Sequence, residues 1–68
     1  MVQYAVTLKD GDWTVFKDGE PVTSGLSRSA AVDRAEELAF DAEARGLVVE
    51  LLIQHYSGEL TRKLSGGE

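Results

Sequence analysis

Two short stretches, Lys9-Asp10-Gly11-Asp12 and Lys17-Asp18-Gly19-Glu20, decide the fold that this chain adopts. Each sets an Asp-Gly pair beside residues that alternate between apolar and polar. Such a pair favours the type I′ turn, in which both central residues need a positive φ and which closes a hairpin with a two-residue loop. The first pair therefore predicts two antiparallel strands, over residues 3–9 and 12–17, in a fixed register.

Counting outward from the first turn pairs Leu8 with Trp13 and Val6 with Val15. Successive strand residues point to opposite faces, so two sets of side chains follow. One face carries Tyr4, Val6, Leu8, Trp13 and Val15, and the other carries Ala5, Thr7, Thr14 and Phe16. Residues 20–25 predict a short third strand, in which Pro21 favours an edge position because it has no N–H to donate.

The middle of the chain has the start and stop signals of a helix. Ser27 or Ser29 caps its beginning, and Gly46 ends it just after Arg45 in a left-handed conformation. One stripe of this helix consists mostly of small residues: Ala31, Ala35, Leu38 and Ala42, flanked by Val32 and Ala39. Side chains of this size predict that the helix lies close against a sheet.

The last third of the chain reads as a strand over residues 47–56, a turn, and a strand over residues 59–64. A two-residue Ser57-Gly58 turn pairs Tyr56 with Glu59 and His55 with Leu60. The helix-facing side then receives Val49, Leu51, Ile53, Leu60 and Leu64. The opposite side receives Val48, Leu52 and Tyr56.

These elements predict a single α+β domain over residues 1–64, with residues 65–68 as a loose tail. The expected architecture is an antiparallel sheet of four to five strands with one helix packed on one face, in the order ββ(β)αββ. The predicted core contains Tyr4, Val6, Leu8, Trp13, Val15, Ala31, Ala35, Leu38, Ala42, Val49, Leu51 and Ile53.

Composition restricts the function classes. The chain has 68 residues, a net charge of −5 and no cysteine, which excludes a disulfide framework or a thiolate zinc site. The negative charge disfavours binding to nucleic acid or to an anionic membrane. The most apolar run, residues 47–53, is interrupted by Glu50 and is far shorter than a membrane span. With no signal-peptide pattern at residues 1–4, a cytoplasmic protein is expected.

Residues for catalysis or metal binding are few. The chain has one histidine, His55, and its serines fall at turn, cap or tail positions, so neither an enzyme nor a cofactor is predicted. We expect His55 to border the core near the last turn. Asp33, Glu37 and Asp41 line one helix face, which is typical of a solvated surface; a calcium site normally wraps its ligands around a loop. No metal site is predicted.

The predicted outer sheet face gives the strongest signal for binding. Phe16, Val48, Leu52 and Tyr56 fall on the side that the helix does not cover, and contiguous exposed apolar residues favour association. We therefore predict a homodimer that pairs these faces or the adjoining sheet edges, in which Glu50 at the patch margin meets Arg62 or Lys63 of the second copy.

Phe40 lies on the helix away from the alanine stripe, among Asp33, Glu36 and Glu43. It is either a lone exposed aromatic or a contact for an unidentified protein partner.

A second hypothesis is binding of single-stranded nucleic acid. Phe16 and Tyr56 on the outer face, with Lys9 and Lys63 near them, would form a stacking platform. Two lysines on a chain of net charge −5 are a weak basis for it.

The chain resembles the small bacterial proteins grouped as domain of unknown function family 2188. The likeness rests on the strand 11–15 (Gly-Asp-Trp-Thr-Val), the capping Ser27, the alanine-rich helix and the final hairpin around Gly58. It implies the fold above and no activity. A second likeness is to the HicB-type antitoxin domain, which also begins with a strand, a Gly-x-Trp strand and a helix. The Pro-Gly-Cys segment of that family has no counterpart between Pro21 and Gly25.

Overall fold

A computed structural model describes residues 1–65 as five strands and one helix. In chain order these are β1 (Val2–Lys9), β2 (Asp12–Lys17), β3 (Glu20–Leu26), α1 (Arg28–Ala44), β4 (Val49–Gln54) and β5 (Leu60–Ser65). The predicted α+β fold with one helix packed on one sheet face is confirmed. The sequence assigned Ser65 to the tail, but it is the last residue of β5 and pairs with Val49 of β4. Residues 66–68 lie outside the described part of the chain.

Both Asp-Gly pairs form the predicted turns. φ is +51° at Asp10 and +84° at Gly11, and the second pair, Asp18 and Gly19, has φ values of +49° and +87°. Positive φ at both central residues is the signature of type I′. The β1–β2 register is the predicted one, with Leu8 opposite Trp13.

The sheet order is β3-β2-β1-β4-β5, and the central pair of β1 and β4 is parallel, so the sheet is mixed. β4 runs parallel to β1 because β3 is a full strand of seven residues. A full third strand adds one reversal of the chain before the helix, so β4 returns in the direction of β1. With only two strands before the helix, β4 would have run antiparallel to β1.

α1 has well-defined ends. The Ser27 side chain accepts a hydrogen bond from the Ala30 N–H at 3.2 Å. At the other end Gly46 has φ +84°, and the N–H groups of Gly46 and Leu47 donate to the carbonyls of Glu43 and Ala42. These two bonds are those of a Schellman motif, so the helix stops where the glycine predicts.

The core lies between α1 and β1, β2 and β4. Its buried members are Tyr4, Val6, Trp13, Val15, Ala31, Ala35, Ala39, Ala42, Val49 and Leu51, with Leu38 and Ile53 partly buried against them. One predicted core residue, Leu8, is exposed. It lies near the end of β1, two residues past Val6, the last residue of β1 that pairs with β4.

The β4–β5 register differs from the prediction by one residue. Gln54 pairs with Leu60, and Glu50 with Leu64. The loop has three residues, because the His55 N–H donates to the Glu59 carbonyl at 2.7 Å, and Gly58 follows the turn with φ +93°. Since a shift of one residue turns every side chain to the other face, Leu60 and Leu64 point away from the helix. The prediction that they face it was wrong.

Candidate functional site

The outer sheet face, opposite α1, carries a row of apolar residues across its middle. Ala5 lies between Phe16 on β2 and Leu52 on β4. All three are half-buried. Two of the four residues predicted for an outer apolar patch, Phe16 and Leu52, are therefore on this face and flank the same neighbour.

The outer face continues onto β5 with two leucines that the sequence assigned to the other side. Leu52 is directly opposite Arg62, so Leu60 and Leu64 are its diagonal neighbours on this face. Leu60 is 59% exposed and Leu64 is 54% exposed. We call Leu52, Leu60 and Leu64 the outer leucine patch. It covers the β4–β5 half of the face.

A polar cluster interrupts the outer leucine patch. Glu50 is buried; its carboxylate accepts a hydrogen bond from the Gln3 side-chain amide at 2.8 Å and forms an ion pair with Arg62. The Gln3 hydrogen bond is the main cause that holds the pKa of Glu50 below its ordinary value; desolvation opposes this, and Arg62 adds to it. Glu50 is thus satisfied within its own chain by the arginine that the sequence assigned to a second copy.

The lowered pKa of Glu50 predicts a pH dependence of stability. A glutamate in an unfolded chain has a pKa of about 4.3. The pKa of Glu50 in the folded protein is lower, so between the two pKa values the unfolded state binds more protons. The contribution of Glu50 is present above the unfolded pKa and is lost as pH falls through the folded one. Denaturant titrations at a series of pH values across this range measure the free energy of unfolding. As the pH is lowered, it is expected to fall more steeply for the natural chain than for Glu50→Gln. Equal slopes would contradict this assignment.

The other two residues predicted for the patch lie outside the strands. Val48 lies just before β4; its carbonyl accepts the Val2 N–H, and its side chain is exposed. Tyr56, in the loop after β4, is 83% exposed and contacts the Trp13 ring edge-on at 5.8 Å. Because Trp13 faces α1, Tyr56 lies at the helix-covered side of the sheet. The prediction of Tyr56 on the outer face was wrong, because β4 ends at Gln54 and Tyr56 is the first residue of the three-residue loop.

Arg28, the first residue of α1, joins this contact. Its guanidinium carbon is 5.8 Å from the Trp13 ring centre and 5.2 Å from that of Tyr56, and its Nε donates to the Gln54 carbonyl at 3.1 Å. These cation–π contacts and the hydrogen bond tie the start of the helix to the end of β4. The cluster therefore has a structural role.

Phe40 is 74% exposed on the solvent side of α1, away from the alanine stripe as predicted. The nearby carboxylates of Glu37 and Asp41 pair with Arg34 at 3.7 Å and Arg45 at 2.8 Å. These are ordinary pairs within one helix, worth a few tenths of a kcal/mol, roughly 0.3–0.5 each. The helix face has the character of a solvated surface with one aromatic residue on it.

His55 is exposed beyond the end of β4, where its Nε2 contacts the Thr61 hydroxyl. The sequence predicted that His55 borders the core. This prediction was wrong, because β4 ends at Gln54 and His55 lies beyond it. Among residues 1–65, no three His, Asp or Glu side chains are grouped so that they could hold a metal ion.

The four residues of the nucleic-acid hypothesis are not brought together. Phe16 and Lys9 are on the outer face with Ala5. Tyr56 contacts Trp13, and Lys63 is opposite Leu51 on the helix-facing side. The stacking platform that the sequence suggested is absent from the described residues.

Comparisons with known proteins add no relative. A scan against family models finds no match, and searches of curated proteins and of solved structures return none. No helix in the part of the chain described here has the length and apolar character needed to span a membrane.

Proposed function

We propose that this chain is a non-enzymatic interaction module that forms a homodimer through the β4–β5 half of its outer sheet face. The observation that supports this most is the exposure of Leu60 and Leu64 beside Leu52 on a face that α1 does not cover. Contiguous apolar residues of this kind mark interaction sites. In a twofold contact the same patch is used on both subunits.

The small size of the chain favours association. A chain of 68 residues buries a smaller share of its surface than a larger domain does, and association adds to that share. Complete burial of a leucine side chain contributes about 1.5–3 kcal/mol. Leu60 and Leu64 are 59% and 54% exposed, so covering each contributes at most about half of that value, and a twofold contact presents each of them twice.

Sedimentation of the natural chain and of Leu60→Lys at tens of micromolar tests the proposal. The natural chain is expected to sediment as a dimer, and the variant as a monomer with its dimer dissociation constant raised at least tenfold, since about 1.4 kcal/mol is a factor of ten. Val22→Lys is the matched control, because Val22 is a similarly exposed apolar residue on the opposite edge strand. It should remain a dimer.

Two results would overturn this function. One is a natural chain that stays monomeric over this concentration range. The other is a dimer that Leu60→Lys leaves unchanged. Salt-sensitive, sub-micromolar binding of single-stranded oligonucleotides by a monomer would favour the nucleic-acid hypothesis instead.

Membership of family 2188 and a cytoplasmic location remain part of the proposal. The family hypothesis is supported by the Trp13 strand, the Ser27 cap and the Gly58 hairpin, and it implies no activity. Nothing observed favours the HicB-type alternative. Co-purification with a toxin encoded beside this chain would support that alternative against the present proposal.

A further inference from the structure

The two edges of the sheet differ in how open they are to another strand. β3, at one edge, contains Pro21, which has no N–H to donate, and Gly25 with φ +72°. Its pairing with β2 also shifts register on both sides of Val15. Proline and bulges are the devices by which edge strands avoid further pairing. The β3 edge is therefore closed to strand addition.

β5, at the other edge, is regular over its six residues, and its side chains at 60–64 are exposed. Hydrogen-bonded and non-bonded pairs alternate in an antiparallel ladder. His55 and Glu59 form a hydrogen-bonded pair. The next residues of β5 whose backbone N–H and C=O groups bond to β4 are therefore Thr61 and Lys63. The N–H and C=O groups of Leu60, Arg62 and Leu64 consequently point to the open edge.

Charged side chains on an edge normally discourage pairing, and β5 carries two. Arg62 is engaged by Glu50 of its own chain. Lys63 is exposed, as is Glu59, four residues before it. In an antiparallel pair of two β5 strands centred on Thr61, each Lys63 lies opposite Glu59 of the other copy. Centring the pair on Arg62 or on Lys63 instead sets like charges opposite each other, which is destabilising.

We propose, resting on the self-association above, that the second copy adds its β5 to this edge, antiparallel and about a twofold axis at Thr61. Lys63 then pairs with the partner's Glu59 at two equivalent positions. The two sheets become one continuous sheet with both helices on the same side. On the outer side, Leu60 becomes the diagonal neighbour of the partner's Leu60 and the partner's Leu64, within reach of leucine side chains. Strand addition thus joins the two outer leucine patches.

Charge reversal at the two paired positions tests the register. Lys63→Glu and Glu59→Lys each set like charges opposite each other twice per dimer, so each variant alone should dimerise at least about tenfold more weakly at low ionic strength. The double variant should recover the natural dimer. An equimolar mixture of the two single variants should form a heterodimer, since both of its cross-strand pairs are then complementary. Sedimentation of each sample, with circular dichroism melts to confirm folding, measures these outcomes.

The outcomes separate this inference from the proposed function. If the natural chain dimerises and Leu60→Lys is monomeric, but both single charge variants dimerise as the natural chain does, the β5 register is overturned and the module remains. The register would also be overturned if both single variants dimerise weakly and neither the double variant nor the equimolar mixture recovers the dimerisation of the natural chain. A monomeric natural chain removes both proposals.

Discussion

Replacing Trp13 by alanine is expected to lower the free energy of unfolding by about 3–5 kcal/mol and the melting temperature by at least about 12 °C. Trp13 is 8% exposed, and truncation of a buried tryptophan costs about 3–5 kcal/mol. A chain of this length has a total stability of roughly 3–10 kcal/mol at the usual 0.05–0.15 kcal/mol per residue. The loss therefore approaches the whole stability at the lower end of that range.

Thermal melts followed by circular dichroism check the Trp13 prediction, with Tyr56→Ala as the matched control. Tyr56 contacts the same ring but is mostly exposed, so its loss should cost about 0.5–1.5 kcal/mol for the ring pair. A Trp13→Ala melting temperature close to that of the natural chain would show that the β1–β2 register is wrong. So would a larger loss for Tyr56→Ala than for Trp13→Ala.

Ala35→Leu is expected to have the second largest effect on stability. Ala35 is fully buried where α1 meets the sheet, and added methylene groups in a packed core force side chains and backbone to move. The expected cost is about 1–3 kcal/mol, and each 1 kcal/mol lowers the melting temperature of a domain this size by roughly 4–8 °C.

Ala44→Leu is the control for the close packing of the helix. Ala44 is on the same helix and is exposed, and leucine is nearly as good a helix former as alanine. Its melting temperature should stay near that of the natural chain. A stabilised Ala35→Leu would mean that the helix–sheet contact has room which the alanine stripe does not fill.

The first hairpin could be predicted because its register depends on local chemistry alone. Asp10 and Gly11 both adopt positive φ, and a two-residue loop leaves one way to pair the flanking strands. From that register the buried set around Val6 and Val15 follows without further information. The helix bounds follow similarly from Ser27 and Gly46.

The last hairpin could not be assigned so simply. Ser57-Gly58 was interpreted as a two-residue loop, whereas Gly58 adopts positive φ at the end of a three-residue loop. Glycine is found at this position in three-residue loops as well, so the sequence allowed both lengths. The difference decided the faces of Leu60, Leu64 and Tyr56, and with them the position of the candidate site.

The parallel pairing of β1 with β4 depended on a strand of weak signal. Residues 20–26 contain Pro21 and Gly25, both of which lower strand propensity. They pair with β2 across the second Asp-Gly turn, and this full strand reverses the chain once more before α1. Local propensity could not establish the direction of β4.

Nuclear Overhauser contacts between subunits test the central claim, that the outer leucine patch is an interface between two copies. The sample mixes chains carrying ¹³C-labelled leucine methyl groups with unlabelled chains, and an isotope filter selects contacts between subunits. Leu60 and Leu64 methyl groups are expected to show such contacts, whereas Leu8 and Leu47, which are also exposed but lie outside the patch, are not. Contacts confined to Leu8 or Leu47, or none from Leu60 and Leu64, would contradict the account.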